Sequence, residues 1–190
     1  GVGPLSYAWR HETVGGTKTV STAASYTISS PAATHSGKYW CEATDGRETV
    51  KSNIAEWVIA DPVAFPEQPA PVRQYVDGGP LTLQTAAVGG MGTVAYRWFK
   101  QGVDAPVSTE NPYTIAAPTA TDAGIYWCEI RDERETVRSN EIEVVLADHL
   151  HFDEQPAGVR RHVDAGPLTL QAVAKGGLGP VAYQWFIQGK

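Results

Sequence analysis

Apolar and polar residues alternate over short stretches of this chain. In residues 80–88, PLTLQTAAV, the period of two sets Leu81, Leu83, Thr85 and Ala87 on one side. In residues 93–100 it turns Tyr96 and Trp98 inward and Arg97 and Phe99 outward. In Gly124–Arg131 it turns Tyr126 and Cys128 inward and Trp127 outward. Such a period predicts strands with one face on a core. Tyr113–Ile115 reads as a short strand, and Thr136–Leu146 as one closing a hairpin across Asp132–Arg134. Residues 62–69 carry prolines and suit a first edge strand, where a missing N–H does no harm. Gly89, Gly90 and Gly92 punctuate the turn before the tryptophan strand. About seven strands in about 87 residues, with a turn every 8–12, predict a β-sandwich.

The pattern recurs. FPEQPAPVRQYVDGGPLTLQ at 65–84 returns as FDEQPAGVRRHVDAGPLTLQ at 152–171, an offset of 87 residues. The same offset links GKYWCEATDGRETVKSN, with Cys41, to GIYWCEIRDERETVRSN, with Cys128. Trp9, Trp98 and Trp185 each end a Tyr-x-Trp triplet. This is a tandem array. Its units divide as 1–60 (strands C to G of a partial unit), 61–148 (complete) and 149–190 (strands A to C of a partial unit), so that the chain begins and ends inside a repeat. It is expected either to be an excerpt of a longer array or to have one copy's 149–190 complete another copy's 1–60.

Asp122-Ala-Gly124-Ile-Tyr126-Trp-Cys128, following Trp98 by about thirty residues, resembles the immunoglobulin fold, with its strand-C tryptophan and strand-F tyrosine corner. The Gly-Gly-x-Gly-x-x-x-Tyr-x-Trp stretch is similar to immunoglobulin-like repeats of large bacterial cell-surface proteins. The resemblance covers the whole chain and implies an all-β fold of tandem immunoglobulin-like sandwiches, about seven strands each in Greek-key order. It implies a core of Trp9, Tyr39, Cys41, Trp98, Asp122, Tyr126, Cys128 and Trp185. Function does not follow, because such sandwiches host many unrelated roles.

Two departures matter. The family's strand-B cysteine falls at Thr85 and at Ala172, so Cys128 has no partner in its own unit. Equivalent sites in successive sandwiches lie too far apart for a bridge. Both cysteines are expected as buried free thiols behaving as small hydrophobes against Trp9 and Trp98. Asp122 of the tyrosine corner becomes His35 in the first unit, a solvated corner residue whose neighbours must stabilise the corner differently.

Composition agrees with strands and turns. The 190 residues include 19 glycines and 13 prolines but only eight leucines and one methionine. No apolar run is long enough to cross a membrane, and no charged-then-apolar start marks a signal peptide. A net charge of −6, from 21 acidic and 15 basic residues, lacks the basic stripe of a nucleic-acid binder.

Candidate chemistry is sparse. Gly89-Gly90-Met91-Gly92 and Gly176-Gly177-Leu178-Gly179 precede strands, not the helix a phosphate loop needs. His149 and His151 do not recur at Pro62 and Ala64, so no metal site belongs to the repeat. Asp61 and Asp148 recur at the linkers, one acid each, short of the six or more oxygens Ca²⁺ takes. No catalytic constellation, metal site or cofactor is expected, and the chain reads as no enzyme. The outward Trp40 and Trp127, with Phe99 and Phe186 on the neighbouring strand C, form the candidate contact face, with Arg97 and Arg131 as possible covers. The first expectation is a structural repeat of an extracellular fibre, stalk or surface layer, self-associating or continuing a longer array. The second is a cell-surface adhesion module binding a glycan or a surface protein.

Overall fold

The computed structural model describes residues 3–188. They are all strand, turn and loop apart from two single-turn 3-10 segments, Ala33–His35 and Ala120–Asp122. Two compact units emerge. One gathers the chain up to Ala64 with Ala87–Val94 and Arg131–Thr136; the other gathers Phe65–Ala86, Ala95–Ile130 and the chain from Val137 on.

The first unit holds five strands in one antiparallel sheet: β1 (Ser6–Thr13), β2 (Gly16–Ser21), β3 (Gly37–Thr44), β4 (Thr49–Lys51) and β5 (Ala55–Trp57). Their order is β2-β1-β3-β4, with β5 continuing along β3. Trp9 sits opposite Cys41 and His11 opposite Tyr39. No second layer lies over this sheet among the described residues of the unit. The Tyr39 side is instead closed from within. His11 stacks on Tyr39 at 4.2 Å, Trp57 lies at 4.5 Å and Tyr26 at 6.0 Å. Tyr39 and His11 are consequently buried, while Trp9 and Cys41 are only half-buried. A Cβ on Gly37 would press on the His11 imidazole and the Glu12 carbonyl, so this approach of ring to backbone requires glycine.

The second unit continues with β6 (Val72–Tyr75), β7 (Leu81–Leu83), β8 (Ala95–Lys100), β9 (Tyr113–Ile115), β10 (Gly124–Arg131), β11 (Thr136–Arg138) and β12 (Ile142–Ala147). One sheet runs β11-β10-β12-β6, with β8 also on β10; the other is the β7-β9 pair. This is a sandwich, with Leu81, Leu83, Trp98, Tyr126, Cys128, Ile130, Ile142 and Val144 at its core, none more than 2% exposed. The alternation along β10 is strict: Tyr126, Cys128 and Ile130 are buried and their neighbours are not.

Three features differ from the sequence expectation. The edge strand predicted at 62–69 is reduced to one bridge, Ala64 to Val88, and the edge of the sheet is β6, running parallel to β12. The closing strand breaks at Ser139–Glu141, because the Ser139 hydroxyl accepts the Cys128 N–H at 2.9 Å in place of a backbone carbonyl. Ser52 does the same for Cys41. Finally, 149–188 yields only the hairpin β13 (His151–Glu154) and β14 (Val173–Lys175), with no third strand. Trp185, expected in a core, is 55% exposed, and Leu168 and Leu170 are exposed too, because no facing sheet covers them.

Both tyrosine corners form. Tyr39 donates to the His35 carbonyl and Tyr126 to the Asp122 carbonyl, each at 2.7 Å. His35 and Asp122 serve the preceding turn alike: His35 Nδ1 accepts the Ala32 N–H at 2.9 Å, and the Asp122 carboxylate accepts the Thr119 N–H at 2.8 Å. The imidazole thus replaces the carboxylate as acceptor, and His35 is not merely solvated.

Both cysteines are free thiols. Burial pushes the Cys128 thiol up to about 11, leaving little thiolate at neutral pH. A thiol reagent added to the native chain should therefore label Cys41 readily and Cys128 only on global unfolding. Mass spectrometry of peptides after timed quenching resolves the two.

Candidate functional site

The outer face of β8 and β10 carries an aromatic stack that the repeat pattern places on a sheet surface. Phe99 on β8 and Trp127 on β10 lie with ring centroids 5.5 Å apart and planes 6° from parallel. Alternation aims both away from the core, since their neighbours Trp98, Tyr126 and Cys128 point inward. Cations flank the stack. The Arg138 guanidinium lies 4.2 Å from the Trp127 ring and that of Arg97 lies 5.7 Å from Phe99. Carboxylates hold both arginines: Arg97 pairs with Glu129 at 3.1 Å, Arg138 with Glu141 at 2.8 Å. The order is Arg97, Phe99, Trp127, Arg138, half-buried in its middle members and rimmed by two acids.

Trp40, the counterpart in the first unit, is closed. It is only 8% exposed, with the Lys51 ammonium 3.9 Å from its ring. Its indole N–H donates to Glu42 at 3.0 Å, and Arg10, opposite Trp40 in register, donates to the same carboxylate at 2.9 Å. Those two donors, the indole first, hold the Glu42 carboxyl below its ordinary range. Trp40 is therefore no exposed contact residue: an arginine replaces the aromatic neighbour, and a lysine caps the ring. Phe186 is 84% exposed but lies outside any strand and forms no sheet face with Trp185.

Of the two covers named from the sequence, Arg97 lies over Phe99, but the cation over Trp127 is Arg138 and not Arg131. The signal was present: Lys51 and Arg138 are 87 residues apart, as are Trp40 and Trp127.

Asp132 was also missed as anything but a turn residue. It is 8% exposed, and its carboxylate accepts the N–H groups of Met91 at 2.7 Å, Glu135 at 2.7 Å and Arg134 at 2.8 Å. Asp45, its counterpart, accepts the Arg47 and Glu48 amides. One carboxylate thus ties the strand-F hairpin to the glycine turn. That turn in turn holds the linker: Gly90 N–H donates to the Asp61 carbonyl at 2.8 Å, and a Cβ on Gly89 would collide with the Pro62 carbonyl. Gly177 N–H repeats the bond to the Asp148 carbonyl at 2.8 Å, and Gly176 the close approach to His149. These glycines seat a linker.

His149 and His151 do not converge. His149 stacks on Tyr75 at 3.9 Å and meets Asp77 at 3.2 Å, while His151 Nδ1 lies 2.9 Å from the His149 carbonyl. Among the described residues no three His, Cys, Asp or Glu side chains are grouped to hold a metal.

No family model matches the chain. A decoration protein of Escherichia phage T5 is 33% identical over 64 residues, 34% of this chain and 39% of that protein. The chain thus matches about two-fifths of that relative's length. Among solved structures, the N-terminal eight Ig domains of Down Syndrome Cell Adhesion Molecule isoform 1.30.30 align with 90% of this chain and 26% of their own, at 20% identity and a TM-score of 0.54. The N-terminal four Ig domains of Dscam1 isoform 6.9 align with 75% of this chain and 37% of their own, at 20% identity and a TM-score of 0.54. The fold is that of tandem immunoglobulin domains. At these identities the likeness concerns fold alone, and here it comes without the intradomain disulfide. No helix among the described residues is long and apolar enough to cross a membrane.

The backbone amides around Asp132, that of Met91 first, hold its carboxyl below the ordinary range. A depressed folded-state value means the carboxylate stabilises the fold above the unfolded-state value near 3.9, and that this is lost as pH falls through the folded one. Amide protection at Met91, Arg134 and Glu135 should therefore collapse only below about pH 4. In Asp132→Asn it should be weak already at neutral pH, as native-state hydrogen exchange would show.

Proposed function

We propose that this chain is a contact module of an extracellular or particle surface, an immunoglobulin-like scaffold presenting the Phe99–Trp127 face to a glycan or protein. The observation that carries this reading is the stack itself, two parallel rings on the outside of a sheet between two guanidiniums. A flat aromatic surface with cations at its ends fits a sugar ring or an apolar side chain, with neighbouring hydroxyls or carboxylates taken by the arginines. Trp and Arg are also the side chains that dominate protein contacts. The chemistry is recognition, with no reacting group asked for. Similarity to a phage decoration protein and to adhesion-molecule Ig domains favours a surface setting.

A second reading, the structural repeat of a fibre, stalk or surface layer, is favoured by the twice-repeated linker clamp at Gly90–Asp61 and Gly177–Asp148. On this reading 1–60, 61–148 and 149–190 are successive units, and each linker is fixed to the turn that follows it, which limits hinge freedom.

Replacing Trp127 removes the centre of the face and leaves the core untouched. In a glycan array and a panel of immobilised extracellular proteins, Trp127→Ser should weaken any interaction of the whole chain by about 30-fold, or about 2 kcal/mol. The thermal midpoint should stay within a few degrees of wild type. Unchanged binding by Trp127→Ser would remove this face from the function.

A further inference from the structure

The two tyrosine corners are built alike and charged differently. Tyr39 and Tyr126 each donate to the carbonyl of the residue four before, His35 and Asp122. At each corner a basic side chain on the paired strand reaches the same turn. In the sandwich it is Lys100, whose ammonium lies 5.5 Å from the Tyr126 ring and donates to the Thr121 carbonyl. In the first unit it is His11, two residues after Trp9 as Lys100 is after Trp98. His11 stacks on Tyr39, with its Nε2 3.0 Å from the Ser36 carbonyl. An acid and an amine hold one corner, and two imidazoles hold the other.

Their responses to acid differ. A backbone N–H can only donate, so His35 Nδ1 must be unprotonated to accept the Ala32 N–H. Protonation turns that acceptor into a donor, and the turn loses its closing bond. The closed corner therefore binds one proton fewer than the open one, and acidification favours the open one. Histidine is the side chain that changes charge between about pH 5 and 8. Nothing around this corner compensates the added charge. His11 and Tyr39 lie beside the turn, Tyr26 lies against Tyr39, and Lys18 is opposite His11 in register. Glu12, Lys38 and Glu56 pair with one another one residue out of step, on the other face of the sheet. Among the described residues neither His35 nor His11 forms an ion pair with a carboxylate. At the second corner the Thr119 amide first, then its hydroxyl and the Lys100 charge, hold the Asp122 carboxyl below its ordinary range. That acceptor persists to below about pH 4.

The first corner also holds something the second does not. The Ser36 hydroxyl, next to His35, accepts the Ile59 N–H at 2.8 Å and donates to the Ile59 carbonyl at 2.9 Å. Ala123 stands at the matching place and has no hydroxyl. Ile59 lies between β5 and the Asp61-Pro62 linker.

We propose that residues 32–36 are an acid-released latch: protonation of His35 opens the turn and frees Ile59, so the segment between β5 and the linker is held at neutral pH and loose in acid. The inference is independent of the Trp127 face.

Native-state hydrogen exchange of the whole chain, corrected for the intrinsic pH dependence of exchange, reads the latch directly. From about pH 7.5 to about pH 5, protection of the Ser36 and Ile59 amides should fall at least about tenfold, with Ala123 and Cys128 unchanged. In His35→Asp, which supplies the acceptor used at the second corner, the fall should move below about pH 4. In Ser36→Ala, Ile59 should be weakly protected at every pH. Ile59 protection that stays constant down to about pH 5 overturns the proposal. So does a fall at the same pH in His35→Asp, which would assign the response to His11, or Ile59 protection that survives Ser36→Ala. A joint loss at Cys128 overturns it too, since the opening would then be global.

Discussion

A sheet with one apolar face is unstable in water until that face is covered. Along β10 the cover is complete: Tyr126, Cys128 and Ile130 meet a layer that includes Leu81 and Leu83, and no member of the set keeps more than 2% of its surface. Each fully buried side chain of this size contributes about 2 kcal/mol. Along β3 the same sequence pattern meets no such layer, and His11, Tyr26 and Trp57 close over Tyr39 instead. Two strands that share Gly-x-Tyr-Trp-Cys-Glu therefore differ in what they protect. Cys128 is sealed, and Cys41 is half open.

That contrast explains which parts of the fold were legible. The bounds of β9 and β10 follow from period-two alternation and the tyrosine corner, signals that lie within a few residues of each other. β6 was missed because Val72-Arg73-Gln74-Tyr75 has no local feature marking it as a parallel partner of β12, seventy residues away. The break at Ser139 was missed because a hydroxyl substitutes for a backbone acceptor, and any serine in a strand looks alike beforehand. At the candidate face, alternation aims Trp40 and Trp127 outward but is silent about which side chain folds back over them. Lys51 buries Trp40, while Arg138 leaves Trp127 half open. Trp185 shows the limit from the other side: an inward-facing pattern gives burial only where a facing layer exists.

Repetition of sequence fixed geometry more tightly than chemistry. His35 and Asp122 share no charge, yet each accepts an amide three residues back, and each carbonyl receives a tyrosine hydroxyl at the same distance. What the corner demands is an acceptor of the right reach, which a neutral imidazole nitrogen and a carboxylate oxygen both supply. The glycine turns follow the same logic. The residue between Gly90 and Gly92 is methionine and that between Gly177 and Gly179 is leucine, but the amide that clasps the linker belongs to glycine each time. A side chain at Gly89 or Gly176 would occupy the place of the linker carbonyl.

The absent disulfide shifts where stability resides. In a sandwich of this kind a cross-link between the sheets is worth about 2–4 kcal/mol, largely by restricting the unfolded chain. Here the strand-B position is Thr85, whose N–H and carbonyl are both engaged by the Asn111 amide, at 3.2 and 2.6 Å, and Cys128 is left to pack as a small apolar side chain. Polar clamps and burial exist only in the folded state, so they act on native contacts and not on the denatured ensemble. A unit held this way depends on having both its layers in place, whereas a cross-linked one tolerates a loosened layer.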